Sequence, residues 1–475
     1  MKNIFITLFA FLAISSCQTD AAYDNLNKNP KRPPKVPASF LFTSATKSLF
    51  DQMTSTSVNH NIFRLLGQYW TETTYTSETN YDFNNRNITQ YHWSELNRDV
   101  LLDLKSAREF VIGDPLLSET EKNSQTAQID ILMVYTWQQL VDSFGDIPYT
   151  EALDPKNALP AYDDAATIYT DLISVLNTAI ANIGSGGFTD ADKIYEGDKA
   201  SWEKFANSLK LRIAMRLADV NPTVASTLAT EAVTAGVFSA NSDNATLNYE
   251  TAPPNTNPLW VDLVQSGRSD FVPANTLVDI MNSLNDPRRF EYFQQNLGEG
   301  VFLGGIYGDN NTFSNYTHIA EALLEPDYPA SLLDYAEVEF YLAQAAEMSI
   351  VGTPADAETH YDNAIRASFD FWGASDIDVY LANPNVAYAT ASGDWREKIG
   401  TQFWLAMYNR GFEGWTVWRT FDKPDFKLPV VTENPVPTRY TYPINEQNQN
   451  RQNYNDASAA IGGDEQTTKL FWDIN

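Results

Sequence analysis

A mostly α-helical body is what this sequence predicts, built from packed helix pairs with long irregular loops laid over them. Three observations carry that expectation. Apolar residues recur at spacings of three and four in several long segments, which places them on one helical face. Two of those segments are joined by only "SIVGTP" and carry small residues at Ala343, Ala345, Ala346, Ala364 and Ala367, as closely approaching helices require. Between the helices lie stretches rich in Asn, Thr, Gly, Pro and aromatics, at roughly 70–92, 238–275 and 296–330. Loops of that length are uncommon in compact domains unless they work. No low-complexity linker divides the chain, so one body is expected over 39–475.

In chain order, Lys2 precedes an apolar run from Ile4 to Ile14, too short for a spanning helix of roughly 20 residues. It has the form of a secretory leader, expected over residues 1–16. Ile14-Ser15-Ser16-Cys17 resembles a bacterial lipobox, and Cys17 is the single cysteine of the chain. A lone thiol in an exported protein has no disulfide partner, so lipid attachment at Cys17 is the expectation, against an ordinary leader with an incidental cysteine. Stable anchoring takes more than one acyl chain, which a triacylated cysteine supplies. Residues 17–38, with Pro30, Pro33, Pro34 and Pro37, read as an extended tether. In the segment "SWEKFANSLKLRIAMRLADVNP", Trp202, Phe205, Leu209, Ile213 and Leu217 form one stripe. Ser201 is the expected N-cap and Asn221-Pro222 the stop. Ile168, Leu172, Leu176, Ala179 and Ile183 form a second stripe, closed by Gly184 to Gly187. "LLDYAEVEFYLAQAAEM" pairs with "PADAETHYDNAIRASFDFWG", and "WREKIGTQFWLAMYNRG" supplies a fifth helix. The pairing suggests tetratricopeptide-type stacking, although no strict 34-residue period is present.

The net charge of −29 repels phosphate backbones and disfavours nucleic acid as a partner. Catalytic and metal signatures are missing from the sequence. His60, His92, His318 and His360 show no zinc-ligand spacing, no Gly-x-Ser-x-Gly elbow occurs, and "DNNTFSN" and "DDAATIYTD" do not follow an EF-hand pattern. Neither a cofactor nor a metal is expected. With 61 acidic residues, a carboxylate pair in the sequence carries no weight toward glycoside hydrolysis.

Several segments together resemble the SusD/RagB family of outer-membrane glycan-binding lipoproteins of Bacteroidetes. They run from "YDNLNKNP" through "LVDSFGDIPYTEAL", "WEKFANSLKLRIAMRLAD", "SGRSDFV" and "NDPRRFEYF" to "YAEVEFYLAQAAE", "KIGTQFWLAMYNRGFEGWTVWRT", "PTRYTYPINEQNQN" and "LFWDIN". Two positions depart from the family pattern: Gln344 stands where a glutamate is usual, and Arg419 stands alone where a pair is usual. The resemblance implies four tetratricopeptide-type helix pairs, a loop-built glycan site and no enzymatic activity. It also implies a SusC-type TonB-dependent transporter as partner and a lipid-anchored, cell-surface location on the outer membrane. Peptide-importing relatives keep an oligopeptide cargo open, as does a scaffold lipoprotein that binds only protein; a glycoside hydrolase is the third reading.

Sugar rings pack their C–H faces on aromatic planes and need paired polar groups for their hydroxyls. The loop "QYWTETTYTSETNYDFNNRN" interleaves Trp70, Tyr75 and Tyr81 with Asn80, Asp82, Asn84 and Asn85. "NTNPLWVDLVQSGRSDF" sets Trp260 ahead of Arg268 and Asp270, and "GGIYGDNN" offers Tyr307. Trp260 and Trp70 are the leading candidates for sugar platforms, with Arg268 and Asp270 readable also as a structural pair. By the resemblance, Trp202, Trp372, Trp404, Trp415, Trp418 and Trp472 belong to the scaffold. The acidic balance favours a neutral glycan.

Overall fold

Helices that follow one another along the chain pack side by side in the computed structural model, which describes residues 36–83 and 87–475. The compact unit runs from Ala38 to Asn475. Cys17, the leader, most of the tether, and Asn84 and Asn85 lie outside the described residues.

α1 (Ala38–Thr54) is followed by the short α2 (Phe63–Leu66) and by strand β1 (Trp70–Glu72). α3 (Ile88–Ser94) widens into a π-helical stretch, Glu95–Leu101, and continues as α4 (Leu102–Gly113), which packs back on α1. α5 (Glu119–Phe144) pairs with α6 (Ala165–Asn182), and α7 (Lys199–Arg216) with α8 (Pro222–Ala235). The loop region then contributes β2 (Ala245–Leu247), the one-turn α9 (Pro258–Trp260) running into π-helical Val261–Gln265, and β3 (Phe271–Pro273). After α10 (Asn275–Ser283), α11 (Arg289–Tyr292) and β4 (Ala330–Leu333), α12 (Tyr335–Glu347) pairs with α13 (Ala357–Trp372). The short α14 (Ile377–Leu381) leads to the pair α15 (Trp395–Ala406) and α16 (Gly411–Phe421), and α17 (Ile444–Gln449) and α18 (Arg451–Ala460) close the chain.

Local chemistry sets the boundaries. Ser118 and Glu121 form a reciprocal capping box on α5, and Asp164 caps α6 through the Thr167 N–H. α7 starts a turn earlier than expected: Asp198, not Ser201, is the cap, and its carboxylate accepts the Ser201 N–H at 2.8 Å. Asn221 does not close α7, which ends at Arg216. It caps α8, with Pro222 at the first helical position where a missing N–H costs nothing.

The stripe on α7 is buried as expected, but so are the other sides: every residue from Phe205 to Arg216 is shielded from water. A helix buried all round must pair whatever charge it carries. Arg212 donates to both oxygens of Glu337 on α12, at 2.7 and 2.9 Å, and its other amine lies 3.2 Å from Glu413 on α16. Arg216 donates to the second Glu413 oxygen at 2.8 Å and lies 3.5 Å from Asp142 on α5. Arg410 donates to Glu337 and faces Asp334 at 3.3 Å. Arg419 donates to the Asp142 carbonyl and packs 3.7 Å from the Trp415 ring centroid. Three arginines, Arg212, Arg216 and Arg410, thus meet four carboxylates at the junction of α5, α7, α12 and α16, with Arg419 beside them on a backbone carbonyl. Burial pushes Glu337 up, but Arg212 and Arg410 outweigh it and hold its pKa at about 2. The departures at Gln344 and Arg419 both fall on buried positions.

Candidate functional site

Two short antiparallel ribbons tie the loops to this frame. β1 pairs with β3, with Trp70 opposite Pro273 and Glu72 opposite Phe271; β2 pairs with β4. The first ribbon brings together loop segments about 200 residues apart in sequence. Beyond its end, the Thr73 N–H donates to the Asp270 carbonyl at 2.8 Å and its hydroxyl to the Ser269 carbonyl at 2.7 Å. That sets Tyr75, Arg268 and Asp270 around one cleft of about 460 Å³.

Tyr75 projects into solvent with 70% of its surface exposed, on a left-handed backbone at φ 60°. A bulky residue in that region carries backbone strain, which persists where the surrounding structure enforces it. Arg268 grips Asp270 in a two-pronged ion pair, at 2.5 and 3.0 Å. The opposite wall comes from the end of α1 and the π-helical turn after α9. Asp262 clamps the two by accepting from the Ser55 hydroxyl at 3.0 Å and the Thr56 N–H at 3.1 Å, and burial raises its pKa. Glu72 lines the cleft floor but turns its carboxyl inward. One oxygen accepts the Thr79 N–H at 3.0 Å and hydroxyl at 2.8 Å. Burial, then repulsion from Glu78, raises its pKa to about 9, so it is protonated at neutral pH.

The other sequence candidates are placed differently. Trp70 is fully buried and offers no platform: its indole N–H donates to the Tyr408 hydroxyl at 3.1 Å and the Arg64 guanidinium covers the ring at 5.1 Å. Tyr81 and Tyr307 are buried against each other. Tyr81 accepts from Gln68 at 2.9 Å, while Tyr307 donates to the Leu65 carbonyl at 2.7 Å. Asn80 is buried as a loop brace, donating to the carbonyls of Thr76 and Gly308. These four residues build the site's foundation instead of its surface. Trp260 is half-buried on α9 and stands outside the cleft lining. Sequence reasoning missed Asp262, Glu72 and the hydroxyls of Thr56 and Ser57, all at the cleft. The strand pairing that gathers them leaves no local sequence signal. Among the described residues no group of three or more His, Cys, Asp or Glu side chains is arranged to hold a metal ion.

An α-helical repeat frame carrying a loop-built polar cleft with one displayed aromatic ring defines the class. The family model described as "Starch-binding associating with outer membrane" matches residues 30–443, and the chain belongs to this SusD-like family. Among solved structures, the chain is similar to a chitin-binding protein at 25% identity and TM-score 0.78, covering 92% of this chain and all of that one. It is also similar to a SusD homologue from Bacteroides uniformis (26% identity, TM-score 0.77, 92% and 100% covered). A chitin-binding SusD homologue from Flavobacterium johnsoniae shares the fold at 24% identity and TM-score 0.76, over 91% of this chain and 99% of the other. Comparison with curated protein sequences gives no match. No helix among the described residues is long and apolar enough to cross a membrane.

Proposed function

We propose that the protein captures a neutral polysaccharide or oligosaccharide at the cell surface and passes it to a SusC-type TonB-dependent transporter. In this reading it is lipid-anchored to the outer membrane through Cys17 and performs no chemistry on its cargo. The observation that carries the reading is Tyr75, an exposed ring held at a strained backbone position over a cleft walled by Arg268, Asp270 and the hydroxyls of Thr56 and Ser57. A sugar lying on the ring has donors and acceptors within reach for its hydroxyls. The family description and the chitin-binding neighbour supply the ligand class. Charge supports a neutral cargo, because Arg268, the cation at the cleft, is neutralised by Asp270. Binding without catalysis is supported by the carboxyls themselves. Asp262 is committed to Ser55 and Thr56, Asp270 to Arg268, and Glu72 to Thr79, so none is poised as acid or base toward the cleft. Trp260 on the adjoining turn is proposed as a secondary contact for longer chains.

Affinity electrophoresis of the mature chain in gels containing starch or glycol chitin tests this. Retardation by one polymer, abolished in Tyr75→Ala and reduced in Trp260→Ala, is the expected result. No retardation across a broad polymer panel overturns it in favour of a protein- or peptide-binding scaffold, and steady release of reducing sugar would restore the hydrolase reading.

A further inference from the structure

The Tyr75 cleft has two further hollows for neighbours. A second hollow, of about 400 Å³, shares Ser57 and Asp262 with it, and a third, of about 590 Å³, shares Lys47 with the second. α1 and its C-terminal extension explain why the three line up. Thr43 lies at the third hollow, Lys47 at the boundary, and Asp51 and Ser55 in the second, each four residues from the next and therefore on one face of the helix. The Ser55 N–H still donates to the Asp51 carbonyl, so the helical path holds to the edge of the Tyr75 cleft. Twelve residues of helix correspond to about 18 Å at 1.5 Å per residue. The floor is thus a straight polar rail, several times longer than a single sugar ring. Its far wall is made by Asn248, Tyr249 and Asn255 on one side and the 189–196 loop on the other.

Building on the capture function, we infer that this rail is an extended binding trough with a remote subsite at Asn248, Tyr249 and Asn255, made for an unbranched chain of several sugars. The polar groups along it are hydroxyls, amides and balanced ions: Lys47 is spent on Asp51, and Tyr249 donates to the other Asp51 oxygen at 3.0 Å. Asp190, Asp192, Glu196 and Glu250 line the remote end against Lys193 and the Asp51-paired Lys47, so a uronate-bearing chain is repelled there and a neutral one is not. A chain that reaches both ends gains the second contact at little further entropic cost, which makes affinity depend on length.

Calorimetric titration of the mature chain with malto- and chito-oligosaccharides, from disaccharide to octasaccharide, reads this directly. In the series that binds, the octasaccharide binds about tenfold tighter or more than the trisaccharide. Asn248→Trp, at an exposed position on the remote wall, returns the octasaccharide to the trisaccharide value and leaves the trisaccharide unchanged. Lys193→Trp blocks the same end from the opposite wall should the first variant fold poorly. A flat length series, or an octasaccharide indifferent to both blocks, overturns the remote subsite while trisaccharide binding that Tyr75→Ala abolishes keeps the capture site standing. No binding of either series overturns both.

Discussion

Two arginine–carboxylate forks in this molecule have nearly the same geometry and opposite settings. Arg212 meets Glu337 at 2.7 and 2.9 Å with both side chains fully buried; Arg268 meets Asp270 at 2.5 and 3.0 Å with the arginine 54% exposed. The first is surrounded by further charges on four helices and has no water to fall back on. The second stands in solvent, where a paired ion can exchange partners at little cost. Fork geometry alone therefore assigns no role. Access to water decides whether the pair holds the fold together or remains available to a ligand.

The sharpest way to break the comparison is to remove one partner from each setting. Arg212→Met leaves Glu337 and Glu413 under-compensated in the interior, and loss of one member of a buried pair costs about 3–5 kcal/mol. Urea unfolding should show a midpoint far below wild type, and a shift as small as that of an Arg268 variant would refute the assignment. Acid should act on the same network. The folded pKa of Glu337 lies near 2, below the ordinary 4.5, so its contribution is intact above pH 4.5 and is lost as pH falls toward 2.

The aromatic residues repeat the contrast. Trp70→Ala should cost about 3–5 kcal/mol of stability, as for other large core rings, because the indole fills space under Arg64 and beside Phe271. Tyr75→Ala should leave the thermal midpoint within a degree or two of wild type and weaken glycan binding by at least about tenfold, a loss of about 1.4 kcal/mol or more that takes a weak ligand out of the measurable range. Thermal melting and calorimetry on the two variants separate the roles, and a Tyr75 variant that melts early would merge them.

Glu72 sits between the two settings, at the cleft yet buried, and pH tests it. Its folded pKa of about 9 exceeds the ordinary 4.5, so the folded state keeps a proton that the unfolded state releases. Stability is thereby eroded as pH rises from 4.5 to about 9. Glu72→Gln has no proton to lose, so its stability relative to wild type should climb across that window. A constant difference from pH 5 to 9 would show that Glu72 titrates normally.

The frame was far more legible in the sequence than the site. Helix periodicity at Trp202, Phe205, Leu209 and Ile213 survives folding because it is written locally, and the SusD-like resemblance covered the rest of the frame. Caps were less secure: Asp198 and Ser201 both suit the start of α7, and only the preceding backbone selects between them. The loops escaped because aromatic–polar interleaving looks the same whether a ring is displayed, like Tyr75, or pinned, like Trp70 and Tyr307. What separates them is a partner hundreds of residues away: Tyr408 for Trp70, and Leu65 for Tyr307. Tyr75, Arg268 and Asp270 meet only because β1 pairs with β3, and three-residue strands have too little pattern to announce themselves.

The smallest expected effect is also the most specific to the cleft. Asp270→Asn removes the negative partner of Arg268 without removing its volume, and the melting temperature should not change measurably because the pair is exposed. The ligand preference should change. An unpaired guanidinium at the cleft attracts carboxylates, so polygalacturonate, which wild type should ignore, should now retard the variant in an affinity gel at low salt. The effect should fade near 0.15 M salt, where screening acts within about 8 Å. Unchanged indifference to polygalacturonate at low salt would mean that Arg268 does not face the bound chain, and the fork would then belong with the structural pairs.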